Sequence, residues 1–163
     1  MTHYKLHLDD EAEDDFILVA IHCSEEAFKM AFMLNKYLSM QLYRKKNDLI
    51  LHSNDLTADF SVYEFENEPQ YTQYYLVENK CKLVLEESST LGGLFEERNS
   101  EKIVHSYLLP EFKKVDYFLK IESDVATFPK RKLVAQINEI KEVISAYVVE
   151  NQSIKNQNNL IFN

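Results

Sequence analysis

A chain of 163 residues with 45% hydrophobic and 28% charged residues has ordinary globular composition. That excludes a collagen-like or disordered protein, and a chain this long needs no disulfide or metal to explain a stable core. A net charge of -9 and a pI near 5.0 repel phosphate backbones and anionic membrane surfaces, so neither nucleic acid nor membrane is expected as a partner.

In chain order, Tyr4, Leu6 and Leu8 alternate with His3, Lys5, His7 and Asp9 in the period-two pattern of a half-buried strand. Residues 9–15 hold six acids in seven positions and read as a solvated turn. They lead into Phe16-Ile17-Leu18-Val19-Ala20-Ile21, a continuous apolar run that suits a central strand covered on both faces. No run approaches a membrane span and the N-terminus lacks a signal peptide's apolar stretch, so the expected setting is the cytoplasm. Ser24 is placed as the N-cap of a helix with Glu25 and Glu26 in its first turn. Ala27, Phe28, Ala31, Leu34, Leu38 and Leu42 recur at three- and four-residue steps, and the helix is expected to end near Ser39.

Residues 59–66 and 70–77 are rich in Tyr, Phe and Val and are separated by Asn67-Glu68-Pro69, which predicts a meander. Asn79 is expected to take positive φ at a turn back into a strand over residues 81–85. Residues 88–100 hold the chain's two glycines, Gly92 and Gly93, and read as a loop. A strand through residues 104–109 is broken by Pro110. Val115, Tyr117, Leu119 and Ile121 then alternate with Asp116, Phe118, Lys120 and Glu122 in another strand. A second helix opens near Thr127-Phe128-Pro129 and carries Leu133, Ile137, Ile140, Ile144 and Tyr147. The fold class expected is α+β, a largely antiparallel sheet of six to eight strands with two amphipathic helices packed chiefly on one face. Residues 1–150 are expected to form this single domain, and the Asn/Gln-rich residues 151–163 a mobile polar tail.

The stretch Leu109-Pro110-Glu111-Phe112-Lys113-Lys114-Val115-Asp116-Tyr117 resembles the signature of the IPExxxVDY family. It matches five of the six fixed letters, with Leu109 in place of the leading isoleucine. Ser106-Tyr107-Leu108 before it and Phe118-Leu119-Lys120-Ile121 after it are similar too, as are Ile21-His22 and Leu34-Asn35-Lys36-Tyr37-Leu38. The resemblance covers residues 1 to about 125, and its specific part is the nine-residue signature. The family is named for this motif, so the resemblance implies a bacterial, cytoplasmic setting and brings no chemistry with it.

Read physically, Pro110 makes Leu109 extended and leaves residues 111–114 for a tight turn in which Glu111 and Asp116 act as caps. The alternative is that Glu111, Asp116 and the Tyr117 hydroxyl converge as a recognition site at the sheet edge. Strand alternation weakens that version by placing Asp116 and Tyr117 on opposite faces. Ten Tyr and ten Phe without Trp supply a second candidate. With both helices on one face, Tyr71 and Tyr75 are left in a tyrosine-rich patch on the other, a surface suited to a protein partner, although packing alone also explains them. Lys130-Arg131-Lys132, with Thr127 nearby, is a candidate anion-binding site set against its reading as a solvated face.

His22, Cys23 and His105 are weighed as a thiolate and base and read as packing; Cys23 and Cys81 read as buried thiols. His3 and His7 lie too far apart on a strand for one zinc, and residues 9–15 lack the central glycine of a calcium loop. No HExxH, GxSxG, CxxC or spaced-glycine pattern occurs, so no catalytic residue, metal or cofactor is expected. The function expected is a non-catalytic protein-interaction or regulatory module with a protein partner. The alternative is a small-ligand-binding or enzymatic domain with a pocket near Glu111, Asp116 and the loop over residues 88–100.

Overall fold

Residues 18–21 are fully buried on both sides of β1 (Ile17–Cys23), as the unbroken apolar run requires. The computed structural model describes residues 16–53, 56–87, 100–125 and 127–162. The strand and acidic turn expected before Phe16, and the loop over residues 88–99, lie outside the described residues. After β1 come α1 (Ala27–Leu38), β2 (Tyr43–Arg44), β3 (Leu49–Ser53), β4 (Leu56–Phe60), β5 (Val62–Asn67) and β6 (Thr72–Glu78). The chain continues through β7 (Lys80–Glu87), β8 (Ser100–Tyr107), β9 (Tyr117–Ser123), α2 (Lys130–Asn138) and β10 (Val143–Val149).

Six strands form one antiparallel sheet in the order β10-β1-β9-β6-β5-β2, and β3-β4 and β7-β8 form separate hairpins. On one face, Val19, Ile21, Leu76, Leu119 and Ile121 meet Met30 and Leu34 of α1 and Leu133 and Ile137 of α2. The protein is thus an α+β domain with both helices on one side of an antiparallel sheet. The other face is covered as well. Leu18, Ala20, Tyr75, Val77 and Phe118 pack there with Phe60, Leu109, Val115, Ile154, Leu160 and Phe162. No helix among the described residues is long and apolar enough to cross a membrane.

Several local expectations are corrected. Helix α1 begins at Ala27 with Glu26 as its N-cap and no side-chain cap bond, so Ser24 does not cap it. Its buried stripe is Met30, Ala31, Met33 and Leu34, which leaves Phe28 exposed. The chain leaves α1 through Ser39 at φ 54. The Asn35 side chain then stitches the exit by donating to the Leu42 carbonyl (2.9 Å) and accepting from the Leu42 N–H (2.7 Å).

Helix α2 stops at Asn138, and Ile144 and Tyr147 belong to β10 rather than to the helix. The β-branched Val143, Ile144, Val148 and Val149 favour an extended chain that pairs along β1. Asn138 stitches the two elements. Its amide donates to the Ala146 carbonyl (2.9 Å) and its Oδ1 accepts from the Ala146 N–H (2.8 Å), which blocks part of the open sheet edge.

The segment after Val149, expected as a mobile tail, packs on the second face of the sheet. Its average polarity hides three apolar anchors, Ile154, Leu160 and Phe162, all buried. Lys120 points into the same layer and is itself buried. Its ammonium donates to the Leu160 carbonyl (2.9 Å), pairs with Glu122, and lies 5.2, 5.8 and 5.5 Å from the rings of Phe16, Tyr75 and Phe162. A buried cation needs such compensation, and here the final residues of the chain supply part of it.

Candidate functional site

Leu109 is extended (φ -120, ψ 95), as proline at the next position demands, and residues Pro110–Phe112 make one 3-10 turn. The Phe112 N–H donates to the Leu109 carbonyl (2.9 Å) and the Val115 N–H to the Phe112 carbonyl (2.9 Å), giving the tight turn expected between two strands. What holds the turn is Asn79, the single residue between β6 and β7, which is fully buried. Its N–H donates to the Asp116 carbonyl (2.8 Å), and its own carbonyl accepts from the Leu108 N–H (2.8 Å). Its Oδ1 accepts from the Leu109 N–H (2.9 Å). Its amide donates to the carbonyls of Phe112 (2.8 Å) and Val115 (3.0 Å). The positive φ expected at Asn79 is absent; among the described non-glycine residues it occurs at Ser39 and Tyr71. Asparagine is required here for its two donors and one acceptor rather than for its backbone freedom.

Of the polar residues of the signature, Asp116 and Tyr117 come together while Glu111 stands apart. Glu111 Oε1 accepts from the backbone N–H groups of Lys155 (2.6 Å) and Asn156 (3.1 Å), and Oε2 from the Asn156 amide (2.8 Å), so this carboxylate ties down the C-terminal segment. Asp116 Oδ2 accepts from the Cys23 N–H (2.9 Å), and the Tyr117 hydroxyl donates to the Glu25 carbonyl. Asp116 and Tyr117 therefore grip one loop together, contrary to the opposite faces expected of them. Asp116 lies just before β9, where strand alternation does not yet apply. Burial, reinforced by the Glu78, Cys23, Asp116 and Glu26 charges, pushes the Tyr117 hydroxyl well above its usual range and keeps it a donor.

Burial pushes the Glu111 carboxyl up, but hydrogen bonds from its own backbone, from the Asn156 side chain and from the backbone of Asn156 and Lys155 outweigh it. The net effect holds the carboxyl below its usual range. A carboxylate depressed by folding adds stability above its unfolded pKa, about 4.3, that is lost as pH falls through the folded value. Protection factors of the Lys155 and Asn156 amides are expected to be high near neutrality and to drop in that acid range. Glu111→Gln should flatten the dependence, and an unaltered pH profile in that variant would contradict the tether.

Beside the signature, Cys23, Glu78, Lys80, Lys82, His105 and Asp116 line a cleft of about 250 Å³. It joins Cys23 and His105 but not His22, which stacks on Tyr147 with ring centroids 5.8 Å apart. Burial pushes the Cys23 thiol up. A backbone hydrogen bond at Glu25 opposes this, and the carboxylates of Glu25, Asp116 and Glu142 add to it, so the sulfur is the opposite of an activated thiolate. Burial and the Asp116 and Glu26 charges likewise raise the Glu78 carboxyl. Glu111 is not part of this cleft, and the loop that was expected to complete a pocket with Glu111 and Asp116 lies, over residues 88–99, outside the described residues.

The tyrosine patch is also dispersed. Tyr71 is 73% exposed at a left-handed turn with φ 46, whereas Tyr75 is 8% exposed under Phe162, whose ring centroid is 5.3 Å away. The expectation left the second face of the sheet open, and the β3-β4 hairpin and the C-terminal segment close it. Burial, with smaller effects of the Glu122, Glu64, Glu66 and Tyr43 charges, pushes the Tyr75 hydroxyl up to about 12. Lys130, Arg131 and Lys132 are exposed in the first turn of α2, where Lys130 borders one cleft and Lys132 another. Asn79 and Lys120 are the determinants missed from sequence. A lysine among the apolar residues of β9 was the one available signal for Lys120.

Among the described residues no group of three or more His, Cys, Asp or Glu side chains is placed to hold a metal ion. Comparison of the chain with protein-family models, curated proteins and solved structures finds no match.

Proposed function

We propose that the chain is a non-catalytic protein-interaction module whose contact surface is the outer face of the β7-β8 arm. The inner face of this arm, through Cys81 and Leu83, packs on the domain. On its outer face Val84 and Ile103 stand opposite each other, 54% and 52% exposed, next to the exposed cross-strand pair Lys82 and His105. The side chains of Lys80, Lys82 and His105 make no ion pair or hydrogen bond among the described residues. An exposed apolar cross-strand pair with Lys82 and His105 beside it on one side, in a chain of net charge -9, is the observation that carries the reading. Its complement is a partner segment with apolar side chains and a carboxylate placed to meet Lys82. The resemblance of residues 109–117 to the IPExxxVDY signature supports a relation to that family and a bacterial, cytoplasmic setting.

The test is crosslinking capture with the wild-type chain, a Val84→Ser/Ile103→Ser variant and a Tyr71→Ser control, each shown to melt alike. The expected result is a stoichiometric partner retained by the control, lost from the arm variant and released by added salt. Equal capture by all three chains would remove the arm from the proposal.

A further inference from the structure

A groove of about 560 Å³ lies between the C-terminal end of α1, the turn joining β5 to β6, and the N-terminal end of α2. Its size falls within the roughly 300–1,000 Å³ range of small-molecule sites. Its walls are mainly apolar, with Phe65 stacked on Tyr74 at 5.7 Å between ring centroids and Phe128 edge-on to Tyr74 at 6.4 Å. Although Asp and Glu number 27 in the chain, no acid among the described residues lines the groove.

The polar groups of these walls without partners among the described residues include the Tyr74 hydroxyl and the Lys132 ammonium. Tyr74 is 6% exposed, and its hydroxyl makes no hydrogen bond among the described residues. No fully buried side-chain oxygen or nitrogen is left unpaired there, so that hydroxyl opens to solvent space. Burial pushes it above its usual range and keeps it protonated as a donor. Lys132 is exposed at the rim and makes no ion pair or hydrogen bond among the described residues. Its neighbours in the walls, Gln136 and Leu133, leave its charge uncompensated.

We infer that this groove binds an amphipathic carboxylate, with the apolar body against the rings of Phe65 and Phe128 and against Leu133, and the carboxylate accepting from Lys132 and the Tyr74 hydroxyl. The apolar walls drive burial of the body, and the single cation at the rim selects a charged over a neutral headgroup. The site is independent of the β7-β8 arm and stands or falls without it.

Titration of the full chain with decanoate, decanol and acetate, followed by amide NMR shifts, tests the inference. Decanoate is expected to bind saturably, with shifts centred on Tyr74, Phe128 and Leu133. Decanol should bind about tenfold more weakly, a difference of roughly 1.4 kcal/mol, and acetate not at all. Lys132→Gln, at an exposed position, should bring decanoate to the affinity of decanol, and Tyr74→Phe should weaken binding severalfold. Gln136→Trp, which fills the groove, should abolish both ligands, with a matching melting curve showing that the variant is folded. Equal affinity for decanoate and decanol, a preference that survives Lys132→Gln, shifts centred elsewhere, or no saturable binding would each overturn the inference.

Discussion

Replacing Asn79 by alanine is expected to lower the unfolding free energy by about 3–5 kcal/mol, because it strands the Leu109 N–H and the Val115 carbonyl in a buried site and leaves the Phe112 carbonyl with the Val115 N–H alone. Each orphaned group costs on the order of 1–3 kcal/mol, and no exposed residue of the signature carries a comparable load. Glu111→Ala should cost less, since the N–H groups it leaves behind are exposed and can turn to water. Asn79→Asp separates shape from chemistry. It keeps the volume and the acceptor for Leu109 but loses both donors and buries a charge, so near neutrality it should be at least as damaging as alanine. Below the carboxyl pKa the protonated side chain regains one donor, and the gap to wild type should narrow. Urea unfolding of the three variants at two pH values decides the matter. An Asn79→Asp chain as stable as wild type near neutrality would show that the signature turn holds without these bonds.

That hub also shows why the fold was more legible than the site. Strands β1 and β9 were readable because their apolar patterns are local, unbroken in β1 and alternating in β9. The end of α2 was not, because Ile140, Ile144 and Tyr147 continue in sequence the helical spacing of Leu133 and Ile137, although Ile144 and Tyr147 are exposed on β10. The strand lies at the edge of the sheet, and its register shifts where it passes Cys23, which lets a strand imitate a helix in sequence. Asn79 read as a turn residue because its side-chain partners lie 30 to 36 positions away. The same holds for the tyrosines. Alternation put Tyr75 on the face away from the helices, correctly, but what covers that face comes from β4 and from residues after Glu150. Local pattern determines which way a side chain points, and distant segments determine whether it meets water.

The C-terminal segment carries the second large expectation. Phe162→Ala should lower the unfolding free energy by about 3–5 kcal/mol, the usual cost of emptying a buried aromatic site. Phe162 touches Tyr75, one of the three rings around Lys120, and its carbonyl accepts from Lys45 (3.1 Å). The loss is capped by the free energy of docking, because a segment that no longer gains by packing can detach while the sheet survives. Amide exchange over residues 151–162 separates detachment from global unfolding, and increased binding of a hydrophobic dye would report the uncovered Tyr75, Val77 and Phe118. Combining Phe162→Ala with Lys120→Met isolates the contact between ring and ammonium, which should couple by about 0.5–2 kcal/mol. If Phe162→Ala melts like wild type and the wild-type segment exchanges without protection, the segment is not part of the core. In that case the second face of the sheet, with Tyr75, is open after all and becomes available to a partner.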